Sequence, residues 1–224
     1  ALAVLADAKL FLAALADRLA PLTGRMNLES RRRKVAKYRE KAREERAKLD
    51  EKLTDMAVPM NPAHVAHVCE QVFPAESVLV ADGGNAAVWA MMFTESRVPN
   101  TILSTFKMGM LGAGVAQATG AAVARPEHPV CCIIGDGAMG FHPQEVETAV
   151  RNGLRVVYVV LCDKQWGMVK MNQQFMLKPI KTLIRKSLGP DETIKADLGE
   201  IRFDDLARAM GAHGERVADP RELK

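Results

Sequence analysis

The chain has 224 residues, 48% of them apolar and 26% charged, which supports a globular core and excludes a disordered or fibrous chain. No apolar run approaches the roughly 20 residues of a membrane span, and no signal-peptide pattern opens the sequence. The net charge of +4 is local, because residues 28–55 hold eleven Lys/Arg against seven Asp/Glu and the remainder balances at 20 of each.

The chain starts without Met and ends just after a helix-start signal, so a fragment of a longer protein is expected. Cys69, Cys131, Cys132 and Cys162 have neither CxxC nor zinc-ligand spacing, which points to a reduced, cytoplasmic setting.

Residues 1–20 predict an amphipathic helix with Leu5, Ala8, Leu12, Leu15 and Leu19 on one face, closed by Pro21 and Gly24. Residues 28–56 predict a second, highly charged helix with a thin stripe of Val35, Tyr38, Ala42, Leu49, Leu53 and Met56. The run Arg31-Arg32-Arg33-Lys34 suggests nucleic acid, but interleaved acids repel phosphates and Tyr38 is the segment's only aromatic residue. A solvated helix is expected there, with no nucleic-acid partner. Asn61 and Pro62 then read as the N-cap and first residue of a helix to about Phe73. His64 and His67 share a face of it and read as surface histidines, since no third ligand accompanies them.

From Ser77 strands and helices alternate. Strands are expected at 78–81, near 101–103, at 130–134 and at 155–161. Helices are expected from Ala86, up to about Arg125, over 143–152 and over 167–177. The strand at 155–161 is almost wholly apolar and reads as buried on both faces, and Cys131 and Cys132 point to opposite faces of theirs. Residues 181–199 read as a loop or lid, 203–210 as a helix and 212–217 as a strand. Such alternation predicts an α/β fold, a three-layer α/β/α sandwich around a mostly parallel sheet, with ligands bound outside the carboxyl ends of the strands. Those ends carry Asp82-Gly83-Gly84-Asn85, Gly135-Asp136-Gly137 and Asp163.

Gly135-Asp136-Gly137-Ala138-Met139-Gly140 matches GxGxxG after a strand, and Asp163 ends the next one, as in a nicotinamide-dependent oxidoreductase. Against that reading, Asp136 would repel a pyrophosphate, and Pro143 starts the following helix several residues late. The same residues suit Mg2+, which takes one or two carboxylates and completes six oxygens with phosphate. Asp136 and Asp163 supply two ligands and a backbone carbonyl of Lys164-Gln165 a third. Gly135 and Gly137 admit a diphosphate against the N–H groups of Ala138 and Met139.

The GDG segment, the following Glu145-Val146-Glu147-Thr148 and a second acid 27 residues after Asp136 resemble the cofactor signature of thiamine-diphosphate enzymes, specifically the acetolactate synthase-like carboligases and decarboxylases. The resemblance runs from about Asn61 onwards. It implies a thiamine diphosphate- and Mg2+-binding (PP) domain over 61–224, truncated at its C-terminus. Residues 1–24 would end a preceding central domain, and 25–60 would be a charged helical linker. It implies metal ligation by Asp136, Asp163 and the Gln165 carbonyl, and diphosphate binding by Gly84, Asn85 and the loop from Gly135 to Met139. Catalytic roles fall to Gly109, whose carbonyl accepts from the cofactor's 4′-amino group, and Leu111, the wedge that bends the cofactor.

Two positions depart from the family pattern. Cys162 stands where Asn is usual, and Ala138 replaces a frequent Ser. Trp166, Met168 and His142 face either substrate or packing. The resemblance also implies a partner, a pyrimidine-binding domain or subunit carrying an activating Glu, within a homo-oligomer of a longer chain. The expected function is 2-oxoacid decarboxylation or carboligation, with 2-hydroxyacyl-CoA or oxalyl-CoA cleavage as alternatives. A non-catalytic cofactor-binding module is the reading from another class.

Overall fold

The computed structural model describes residues 3–25, 27–177, 180, 183–184 and 193–223. The chain divides into two units, Ala1–Glu51 and Lys52–Lys224. The first contains α1 (Ala8–Leu19) and α2 (Leu28–Asp50). Asp7 caps α1 by accepting from Leu10 N, and Asn27 caps α2 by accepting from Ser30 N, each at 3.0 Å. No described residue of this unit is buried, and the apolar stripe of α1 is open, with Leu12 60% exposed. The charged helix ends at Asp50, short of the expected 56, and residues 51–54 form a turn. Among the described residues no helix is long and apolar enough to cross a membrane.

In the second unit the alternation gives α3 (Pro62–Val72), β1 (Val78–Asp82), α4 (Asn85–Phe93), β2 (Ile102–Ser104), α5 (Ala113–Ala124) and β3 (Val130–Gly135). There follow α6 (Asp136–Met139), α7 (Glu145–Arg151), β4 (Val156–Leu161), α8 (Gly167–Leu177) and α9 (Phe203–Ala209). The strands form one parallel sheet in the order β2-β1-β3-β4, with Asp82 beside Ile134 and Gly135 beside Leu161. Their carboxyl ends are therefore level, and the three acid-bearing loops leave the sheet side by side. Alternation sends Val78, Val80, Val130, Cys132 and Ile134 towards Val115, Ala118 and Ala122 of α5 and Val146 of α7. On the opposite face Cys131 meets Cys69 of α3, and α4 covers β1 and β3. Both strand cysteines are buried, one to each face.

Several expectations change. β4 is an edge strand, and Val157 is 49% exposed, because no described strand pairs with its outer side. Residues 212–217 form no strand, although Ala212 packs on the core. His64 is buried, not superficial, because its face of α3 turns inwards, and its Nδ1 lies 2.7 Å from the Leu53 carbonyl. Asn61 does cap α3, accepting from Ala63 N. Of the stretch 181–199 read as loop or lid, residues 181–182 and 185–192 lie outside the described residues, as does Pro179.

One buried carboxylate ties the strand ends together. Asp82 is fully buried and accepts from Gly83 N at 2.6 Å, Thr105 Oγ1 at 3.1 Å and Gly114 N at 2.7 Å. It thus joins β1 to the turn after β2 and to the first turn of α5, whose positive end favours an anion. Buried N–H groups left without that acceptor are costly. Asp82→Ala should lower unfolding stability by about 2–3 kcal/mol, read as a reduced urea midpoint.

Candidate metal and diphosphate site

β3 ends at Gly135 and passes directly into α6, a single turn closed by Gly140 N donating to the Asp136 carbonyl at 2.9 Å. This turn is additional to the helix beyond Pro143, which is α7. Ala138 and Met139 are buried in the core, so only their backbone is available to a ligand. First-turn N–H groups have no partner within their helix, which leaves backbone donors at this end.

Asp136 is 7% exposed. Its Oδ1 accepts from Gly137 N at 2.7 Å and its Oδ2 from Lys164 N at 2.8 Å. Burial pushes its carboxyl above the ordinary value. The Lys164 and Gly137 N–H groups pull it down, and the charge of Asp163 pushes it up again. The Lys164 ammonium does not relieve that charge, because it donates to Glu200 Oε2 at 2.7 Å. Asp163 is exposed, with Oδ1 accepting from Gln165 N at 3.3 Å and Oδ2 from Gln165 Nε2 at 3.1 Å.

The Gln165 carbonyl is oriented by the next residue. Trp166 N donates to the Ala196 carbonyl at 2.8 Å, and across a trans peptide the Gln165 C=O must point the opposite way. Lys164 sits at φ 57°, in the left-handed region that costs a side-chain-bearing residue about 1–2 kcal/mol. Its N–H, carbonyl and ammonium are all engaged, the carbonyl by Leu198 N at 2.8 Å.

The donor set fits a hard cation. Two carboxylates and a carbonyl are all oxygen ligands, and among the described residues no three His, Cys, Asp or Glu side chains group as a metal site. A closed zinc-type site is therefore not on offer, whereas Mg2+ with phosphate oxygens completing its shell is suited to these groups.

Glycines let the loops interlock. A Cβ at Gly137 would stand 2.6 Å from the Trp166 ring, and one at Gly84 would stand 2.9 Å from Met168 Cβ. At Gly167 a Cβ would lie 2.7 Å from Asn85 Nδ2 and 3.4 Å from Asp163 Oδ2, so the Asn85 amide and the Asp163 carboxylate flank the same backbone. The structure thus brings together Gly84, Asn85, Gly135, Asp136, Gly137, Asp163 and Gln165. Gly109 stands apart: it is exposed, and a Cβ there would meet nothing within 4 Å. Leu111 is half-buried against the core cluster that holds Ala138 and Met139.

Trp166, Met168 and His142 all make packing contacts. Phe141 bridges the first and last, with ring centroids 5.9 Å from Trp166 and 6.5 Å from His142. Cys162 is a poor nucleophile. The residue is exposed at the surface, but partial desolvation of its sulfur and the nearby charge of Asp136 push the thiol up to about 11. Two features carry no marked signal in the sequence: the buried acceptor Asp82 and the pairing of 194–200 with the 163–166 loop. Asp82 shows only as an acid ending an apolar run.

A family profile described as "Thiamine pyrophosphate enzyme, C-terminal TPP binding domain" matches residues 82–224. The chain is 32% identical over 173 residues to the acetolactate synthase large subunit IlvG of Mycobacterium tuberculosis, covering 77% of this chain and 29% of that protein. It is 30% identical over 170 residues to 2-hydroxyacyl-CoA lyase 2 of Caenorhabditis elegans, covering 76% and 24%. The crystal structure of benzoylformate decarboxylase from Polynucleobacter necessarius superimposes with a TM-score of 0.64 at 25% identity, covering 76% of this chain and 30% of that one. The chain therefore spans less than a third of the length of these relatives.

Two outcomes are expected from the packing and the thiol. Gly137→Ala should displace Trp166, shifting its fluorescence emission and costing about 1–3 kcal/mol in urea unfolding, as overpacking does. Alkylation of Cys162 by iodoacetamide should be slow at pH 8 and rise about tenfold per pH unit towards 11, followed by mass spectrometry of its peptide.

Proposed function

Because the chain belongs to the thiamine pyrophosphate (thiamine diphosphate) enzymes through their C-terminal cofactor-binding domain, we propose that it holds the diphosphate and Mg2+ end of that cofactor in a 2-oxoacid decarboxylase or carboligase of the acetolactate synthase type. One observation carries the reading. Asp136 is clamped by two backbone N–H groups, lies within electrostatic range of Asp163, and is left without the ammonium of Lys164, which pairs with Glu200.

In this reading Asp136, Asp163 and the Gln165 carbonyl ligate Mg2+. Gly84, Asn85, Gly135 and Gly137 and the backbone of Ala138 and Met139 line the diphosphate. Gly109 would offer its carbonyl to the 4′-amino group, and Leu111 would be the apolar wedge that bends the cofactor. When bound, the cofactor supplies the electron sink for breaking or making a bond next to a carbonyl. The chain's own residues bind, orient and shield it. The apolar residues around Gly109 are open, with Met108 77%, Met110 50% and Phe106 46% exposed. Such a surface is suited to being covered. We assign the cover to a pyrimidine-binding domain or subunit bearing the activating Glu, in a homo-oligomer of a longer chain. Residues 1–24 would then end a preceding domain and 25–60 link it to the PP domain. The free thiols among the described cysteines suit a cytoplasmic protein. Cleavage of 2-hydroxyacyl-CoA is the second reading, favoured by the 30% identity to that lyase.

Calorimetry tests the assignment. Thiamine diphosphate should bind only with Mg2+, and Asp136→Ala should abolish the heat; NADH binding without metal would overturn the reading. Pyruvate turnover should appear only after a pyrimidine-binding partner is added. Metal-dependent binding without turnover in its presence would mark a non-catalytic module.

A further inference from the structure

Residues 194–200 run back along the 163–166 loop and grip it. Trp166 N donates to the Ala196 carbonyl and Leu198 N to the Lys164 carbonyl, both at 2.8 Å, around an antiparallel bridge between Gln165 and Asp197. Lys164 Nζ reaches Glu200 Oε2 at 2.7 Å, and Arg216 holds the other oxygen of Glu200 at 2.5 Å. The segment is fixed to α8 as well. Lys170 Nζ donates to Asp197 Oδ1 at 2.6 Å. Gln173 takes both sides of the Ile194 backbone, accepting from its N–H at 2.7 Å and donating to its carbonyl at 3.1 Å.

These contacts on the loop fall on the three residues that follow Asp163, among which the carbonyl ligand lies. We propose that residues 194–200 form a positioning strap for the metal, which holds Lys164 in the left-handed region and faces the Gln165 carbonyl away from itself. The inference rests on the metal reading above. None of the strap residues touches the cation in this scheme. Glu200 acts on Lys164 directly, and Gln173 acts by anchoring Ile194 at the start of the strap. If the grip loosens, Lys164 relaxes to negative φ, its N–H leaves Asp136 Oδ2 and the following carbonyl rotates, so two of the three ligands lose their aim. Glycine reaches positive φ without help. Glycine at 164 should therefore make the strap dispensable, which a general stabilising role would not predict.

The test is titration of the 224-residue chain with Mn2+ in the presence of thiamine diphosphate, read by the paramagnetic resonance of free Mn2+, with thermal midpoints recorded in parallel. Gln173→Ala/Glu200→Ala should bind Mn2+ about tenfold more weakly, the usual scale for partners that orient a ligand. Adding Lys164→Gly should bring affinity back to within about threefold of the unsubstituted chain without restoring any lost thermal stability, whereas adding Lys164→Met, which removes the freed ammonium but keeps a side chain at positive φ, should leave it weak. Unchanged affinity in the double variant, a glycine variant as weak as the double, or equal recovery with methionine overturns the strap. An unsubstituted chain that takes up no Mn2+ with thiamine diphosphate overturns the metal reading first, and the strap with it.

Discussion

The hydrogen bond from Lys164 N to Asp136 Oδ2 joins the end of β3 to the loop after β4, and the site depends on which group of Lys164 makes it. Had the ammonium been the donor, an ion pair would have neutralised Asp136 and filled the place of a cation. The backbone N–H instead fixes the carboxylate and leaves its charge in place, while the ammonium is drawn off to Glu200. Burial and the neighbouring Asp163 both disfavour that charge. Two carboxylates arranged this way are held in tension that a divalent cation relieves. On the proposed reading, this is the electrostatic reason for a metal rather than a dinucleotide at the GDG loop.

The loops come close enough to cooperate because side chains from one occupy glycine positions of another. Trp166 lies where Gly137 has no Cβ, Met168 does the same at Gly84, and Asn85 at Gly167. Trp166 couples the loop after β4 to the turn after β3, while Met168 and Gly167 couple the start of α8 to Gly84 and Asn85 after β1, so residues 166–168 key the three strand ends into one body. Asp82 does the equivalent beneath them, in the buried layer, by collecting donors from residues 83, 105 and 114. The level strand ends of a parallel sheet supply the platform. These side chains set the spacing.

How far the sequence could be read follows from the range of the interactions involved. Helices and strands of the second unit were legible because apolar periodicity and caps such as Asn61 are local. The placing of Asp136 and Asp163 at neighbouring strand ends was legible for the same reason, since each directly follows an apolar run. Burial of β4 was not legible, since an apolar strand looks alike whether or not another pairs with its outer side. The burial of His64 is hidden for the same reason: it comes from the packing of α3, with the ring held at the Leu53 carbonyl eleven residues away. Asp82 needed Gly114, 32 residues distant, to show its role. The pairing of 194–200 with the 163–166 loop spans a similar gap without any motif.

The two departures from the family pattern take on a physical meaning at this point. Ala138 is buried in the apolar core, so that position contributes a backbone to the ligand side whatever its side chain. Cys162 donates to the Val160 carbonyl at 3.7 Å and, with its thiol held protonated, adds no charge beside the two aspartates. Neither substitution removes a proposed oxygen ligand or alters the backbone that aims one. A site built from backbone N–H groups, one carbonyl and two carboxylates tolerates change at side chains that take no part in it. On the proposed reading, those three kinds of group hold a diphosphate and a metal by charge and hydrogen bonds. All of them act on oxygen atoms and charge, so in that reading discrimination between substrates falls to surfaces beyond these loops.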